Sequence, residues 1–117
     1  MTTQTRAARP LTPATFHILL SLAEEVSHGY RIKRAVEERT GGAVQLGAGT
    51  LYAGLSRMSE DGLIEETDPP ADALDVEPGS RWRFYAITRK GRDALEAEIA
   101  RLEADLEAAR SVVPRPA

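Results

Sequence analysis

The run Leu46 to Glu65, LGAGTLYAGLSRMSEDGLIE, constrains the fold more than any other part of the chain, because it reads as a short amphipathic helix closed by glycine and followed at once by a strand. With Leu51 as the zero of a helical wheel turning about 100° per residue, Leu55 and Met58 fall on the same side, whereas Gly49, Ala53, Ser56, Arg57 and Glu60 fall opposite. One face is core and the other is small and polar. A helix that lies in the major groove of a duplex needs small residues where the DNA approaches and a few donors that reach base edges or phosphates. Thr50, Tyr52, Ser56 and Arg57 supply those donors. An ordinary short core helix ends in the same way, so the neighbouring segments must discriminate.

Length sets the outer bound. At 117 residues the chain is expected to form one small domain, marginal enough that a partner subunit would add much to its stability. It contains no cysteine, which excludes disulfides and thiolate metal sites. No apolar run approaches the length of a membrane span, and MTTQTRAARP lacks the hydrophobic segment of a signal peptide, so a cytoplasmic location with no membrane partner is expected. The net charge of −3 argues against a nucleic-acid binder only until the pattern is inspected. From His28 to Arg57 five bases (Arg31, Lys33, Arg34, Arg39, Arg57) face two acids, Glu37 and Glu38, and from Arg81 to Arg92 there are five more bases and no acid. Glu60 to Glu77 holds eight acids and no base. The charge is segregated.

Periodicity predicts the order helix, helix, helix, hairpin, long helix. Residues 1 to 10 read as a disordered tail. Thr12 followed by Pro13 opens a helix to about Val26, whose apolar residues Phe16, Ile18, Leu19, Leu20, Leu22, Ala23 and Val26 cover more than one face, which implies burial on two sides. After a break at Ser27, His28 and Gly29, a second helix from Tyr30 to about Thr40 buries Ile32, Ala35 and Val36 and shows Arg31, Lys33 and Arg34 to water. Tyr30 is read as core. Strands are expected over Leu63 to Thr67 and Trp82 to Ile87. The intervening loop, Asp68 to Ser80, is too long for a tight hairpin and forms a wing with a mobile tip. Trp82 is read as sheet packing.

The last element is the most regular. Thr88 caps a helix to about Arg110, roughly 35 Å long at 1.5 Å per residue, in which Leu95, Ile99, Leu102, Leu106 and Ala109 are spaced as a heptad seam. The opposite face, with Glu96, Glu98, Arg101, Glu103 and Glu107, is charged. No later element covers the seam, so a second copy of the chain is the expected partner, with Phe16 and Leu20 of the first helix adding to the interface. Folding of the seam back on the first helix within one chain is the alternative, and the two are compatible.

Three blocks, HGYRIKRAVEE from His28, GTLYAGLSRMSEDGLIE from Gly49 and RFYAITRKGRDAL from Arg83, resemble successive segments of PadR-type transcriptional regulators in order and separation, over about Leu11 to Leu106. The resemblance implies a mainly α (α+β) winged helix-turn-helix with a single long C-terminal dimerisation helix, bound as a homodimer to a palindromic operator in double-stranded DNA. Regulators of this type usually repress and are sometimes released by a small molecule. Carried over by position, the recognition helix is Ala48 to Asp61, with Thr50 and Tyr52 facing DNA. Prolines often found before Gly49 and after Tyr52 are here Ala48 and Ala53. The acidic wing moves its expected DNA contacts to its base, Arg81 and Arg83.

The expected division is therefore a tail (1–10), a DNA-binding domain (11–87), a dimerisation helix (88–110) and a flexible tail (111–117). Phosphate contacts are assigned to Arg31, Lys33, Arg34, Arg81 and Arg83, groove contacts to Thr50, Tyr52, Ser56 and Arg57, and the dimer interface to Phe16, Leu20, Leu95, Ile99, Leu102 and Leu106. A hydrophobic or aromatic effector is placed between the subunits near His17 and Trp82. No enzyme, metal or cofactor is expected, since His17 and His28 lie on different elements and no nucleophile elbow or phosphate-binding loop is present. The alternative function is a winged-helix protein-interaction module whose basic face takes an acidic partner. Regulators of the MarR or ArsR type fit less well.

Overall fold

Thr12 begins the first helix, α1 (Pro13–Glu24): in extended conformation its side-chain oxygen accepts the Thr15 N–H at 3.1 Å, and proline follows in the first turn, where the helix has no N–H bond to lose. The computed structural model describes residues 9–72 and 82–116. The helix stops two residues before the predicted Val26, because Ser27 and His28 leave it to form a two-residue strand, β1. Two residues show no alternation, so periodicity could not reveal this strand. The chain then continues through α2 (Gly29–Arg39), α3 (Ala48–Glu60), β2 (Ile64–Thr67), β3 (Phe84–Ile87) and α4 (Arg89–Val112).

The three strands form one antiparallel sheet in the order β1-β3-β2. Ser27 and His28 pair with Tyr85 and Phe84, while Ile64, Glu65, Glu66 and Thr67 pair with Ile87, Ala86, Tyr85 and Phe84. The core lies where α1, α2 and α3 meet the sheet: Ile18, Leu19, Leu22, Ile32, Val36, Leu51, Leu55, Met58, Ile64 and Tyr85 are buried together. The wheel of α3 is realised, with Leu51, Leu55 and Met58 inside and the opposite face in water.

The start of α4 is tied to the end of α3. The Thr88 hydroxyl caps α4 by accepting the Gly91 N–H at 3.0 Å and donates to the Gly62 carbonyl at 2.6 Å, its backbone N–H reaches the Leu63 carbonyl at 3.0 Å, and the Lys90 ammonium donates to the Asp61 carbonyl at 2.8 Å. Gly91 permits this approach, since a Cβ there would stand 2.1 Å from the Leu63 carbonyl oxygen.

Two expectations for α4 need correction. Leu95, assigned to the seam between subunits, is buried in the core of its own chain. Glu98, assigned to the charged outer face, is buried as well: Oε1 accepts the Leu11 N–H at 3.0 Å and the Arg101 Nε–H at 3.2 Å, and Arg101 also pairs with Oε2. The heptad shows which residues share a stripe on the helix, but docking on α1 rotates the first half of that stripe inward. The helix also continues to Val112, so the tail begins later than residue 111. The N-terminal tail as far as residue 8, the tip of the wing and Arg81 lie outside the described residues. Among the described residues no helix is long and apolar enough to cross a membrane.

Candidate nucleic-acid interface

His28 organises the junction between sheet and helices. It is the last residue of β1 and the N-cap of α2, and its Nδ1 accepts the Arg31 N–H at 3.3 Å. Its buried ring lies 4.5 Å from the indole of Trp82 and meets Phe84 edge-on at 5.1 Å. Capping by histidine at this position places the first turn of α2 beside the start of β3. Across the same junction the ring of Tyr52, on α3, lies against the backbone of Gly29, where an added Cβ would come within 3.0 Å of the phenol oxygen. Gly29 and Tyr52 together set how closely the start of α2 approaches α3.

The bases of α2 are each held by a nearby carboxylate. Arg31 pairs with Glu25 at 3.5 Å, Lys33 with Glu37 at 2.8 Å and Arg34 with Glu38 at 3.6 Å. The Arg34 guanidinium also stands 6.0 Å from the centre of the Tyr30 ring. Just before β3, Arg83 faces Glu66 at 3.9 Å. Pairs this exposed contribute about 0.2–1 kcal/mol each, so a phosphate can replace the carboxylate at little cost. Arg57 differs: it is exposed on α3 and makes no ion pair among the described residues. Gly49, Thr50, Tyr52, Ala53 and Ser56 are exposed beside it.

Between α2, α3 and the sheet lies a cleft of about 720 Å³. It brings Tyr52, Ser56, Trp82 and Arg83 together and adds six residues the sequence reading did not assign to a site: His28, Gly29, Tyr30, Ser59, Glu66 and Tyr85. Tyr30, read as core, is 57% exposed. The signal was available, because on the wheel Tyr30 stands about 160° from Ile32, away from the buried stripe. Trp82, read as sheet packing, is 49% exposed and packs at a tilt of 49° against His28. Arg31, Lys33, Arg34, Thr50 and Arg57 do not line the cleft.

The expected effector residues are not brought together. His17 stands on α1 with its ring edge-on to Phe16 at 5.2 Å, and it is absent from the cleft that Trp82 lines. Its pKa is lowered by burial and, secondarily, by the positive charge of Arg39. Of the expected interface residues, Phe16 and Leu20 are partly buried against the core, whereas Ile99, Leu102 and Leu106 are exposed at 38%, 40% and 57%.

Three helices followed by a small antiparallel sheet, with one long helix trailing from it, define a winged-helix protein. The family model of PadR-like transcriptional regulators matches residues 18–97, and the chain belongs to that family. Members of that family are transcriptional regulators. Among solved structures it is similar to RosR of H. salinarum, at 34% identity over 94% of this chain and 84% of that one with a TM-score of 0.58. A PadR family transcription regulator from Clostridium difficile shares the fold, with a TM-score of 0.71 at 24% identity over 87% of this chain and 99% of that one. A 37.1 kDa protein of transposon Tn4556 in Streptomyces fradiae is 33% identical over 81 residues, 69% of this chain. The chain spans only 20% of that relative's length.

Proposed function

We propose that the chain acts in the cytoplasm as a homodimer that binds an inverted repeat in double-stranded DNA and represses the adjacent genes. Helix α3 lies in the major groove, with Thr50, Tyr52, Ser56 and Arg57 toward the bases and nearby phosphates. The start of α2, with Arg31, Lys33 and Arg34, and the base of the wing, with Arg83 and Arg81, hold the phosphates. The observation that carries this reading is the outer face of α3: small residues and donors, among them Arg57, which has no ion pair among the described residues, on a helix whose other face is buried. The exposed stripe Ile99, Leu102 and Leu106 supports the dimer. The bonds between Thr88, Lys90 and the end of α3 transmit the spacing of two α4 helices to two recognition helices, which must sit about 34–36 Å apart to read successive half-sites.

The test is duplex binding by fluorescence anisotropy, using DNA from upstream of the chain's own gene against random duplex over a range of salt. Affinity for one inverted repeat should exceed that for random DNA by at least about a thousandfold and fall log-linearly with salt. Equal affinity for all duplexes would favour the protein-interaction module instead.

A further inference from the structure

We propose that the cleft between α2, α3 and β3 binds a small aromatic cation within a single subunit. Its volume, about 720 Å³, is within the range of small-molecule sites, roughly 300–1,000 Å³. Four of the residues that line it are aromatic, Tyr30, Tyr52, Trp82 and Tyr85. Tyrosine and tryptophan faces carry the negative end of the ring quadrupole and attract cations, most strongly where water is excluded. The chain already uses one of these rings in that way, with the Arg34 guanidinium over Tyr30.

Beside the aromatic side chains the cleft holds one carboxylate that a cation can take. Glu66 lines it and stands opposite Tyr85 in the strand register, so carboxylate and ring flank the same space. Its only described ion-pair partner, Arg83, is 3.9 Å away and both side chains are largely exposed, so a ligand cation can take that carboxylate over. Of the acidic residues from Glu60 to Asp72, Glu66 is the one that lines the cleft. An aromatic ammonium ion therefore meets aromatic side chains and one exchangeable carboxylate. An anion of the same shape can pair with Arg83, which lines the same cleft, but it meets the negative ring faces and the carboxylate of Glu66.

The cleft contains no residue of α1 or α4, so this site is separate from the space between subunits where an effector was expected. Tyr52 and Ser56 belong both to the cleft and to the face of α3 assigned to DNA. Resting on that assignment, bound cation and duplex compete directly rather than through a change in dimer geometry.

Trp82 is the single tryptophan of the chain and lies in the cleft, so its fluorescence reports occupancy without any DNA. The full chain is titrated with benzyltrimethylammonium, with phenylacetate as an anion of similar size. The Glu66→Gln variant is titrated in parallel, its fold checked by circular dichroism. The expected result is a saturable change with a midpoint near or below about 1 mM for the ammonium ion, raised about tenfold by Glu66→Gln, and no saturation by phenylacetate. No saturable response to the ammonium ion, an unshifted midpoint in the variant, or an equal response to phenylacetate would each overturn the proposal. Because the titration contains no DNA, a failure of duplex binding leaves its outcome readable. A cation that saturates Trp82 but leaves duplex affinity unchanged would overturn the competition while establishing the site.

Discussion

The two halves of α4 share one helix and one heptad seam, yet they end in different surroundings. In the first half Gly91, Leu95 and Glu98 are buried against the same chain. From Leu102 to Val112 every residue is exposed. The first half is closed by α1 and by the turn after α3, whereas nothing among the described residues covers Ile99, Leu102 and Leu106. A leucine stripe therefore has two meanings along a single helix: core where another element of the chain lies over it, and unfinished surface beyond that point.

Gly91→Ala attacks the closed half and is expected to have the largest effect. Its Cβ would meet the Leu63 carbonyl oxygen, a backbone atom that cannot move without pulling on β2, so a loss of about 3–5 kcal/mol is expected in a urea melt. That is a large share of the stability of a small domain, about 5–15 kcal/mol. An unchanged melt would mean that the junction gives way more easily than its geometry suggests.

Leu95→Ala and the double change Ile99→Glu with Leu102→Glu separate the halves directly. Truncating Leu95 leaves a cavity in the core and should cost about 2–5 kcal/mol at any protein concentration. The double change places charges only where the chain is open, so the domain should stay folded while its dimer is lost, because charges in an apolar seam are strongly unfavourable. Sedimentation at micromolar concentration should show a folded monomer. A stable dimer in that variant would show that the open half is not the interface.

Glu98 marks the boundary between the halves and makes a smaller, pH-dependent contribution. Hydrogen bonds from Arg101, and then from the Leu11 N–H, hold its carboxyl below the ordinary glutamate range. A carboxyl with a lowered folded-state pKa stabilises the fold above its unfolded pKa, and that stabilisation is lost as pH falls through the folded value. Stability should therefore decline as pH drops below about 4.5, and Glu98→Gln should flatten that acid slope. The same slope in both proteins would remove Glu98 from the account.

The smallest expected effect lies on α2. In the proposed complex Arg34 exchanges Glu38 for a phosphate, so Arg34→Ala should weaken specific and random duplex alike and reduce the salt slope by about one. An unchanged slope would confine Arg34 to its contacts with Glu38 and Tyr30.

By itself the sequence determined the order of the long elements, the buried face of α3, the caps at Thr12 and Thr88 and the family, because each is written in spacing or in a local residue type. Helical periods, capping side chains and a block such as GTLYAGLSRMSEDGLIE act over a few residues and need no knowledge of what packs where. Only the tertiary structure decided that Ser27 and His28 form a third strand and that Tyr30 faces the cleft. It also decided that Leu95 and Glu98 turn inward while Leu102 and Leu106 do not. The physical reason is common to all of these: each depends on a second surface contributed by residues distant in sequence, Phe84 and Tyr85 for β1, Leu11 and the core behind α1 for the first half of α4. A pattern along one helix or strand records which residues share a face, and the partner that comes to lie on that face determines whether it is core, cleft or open surface.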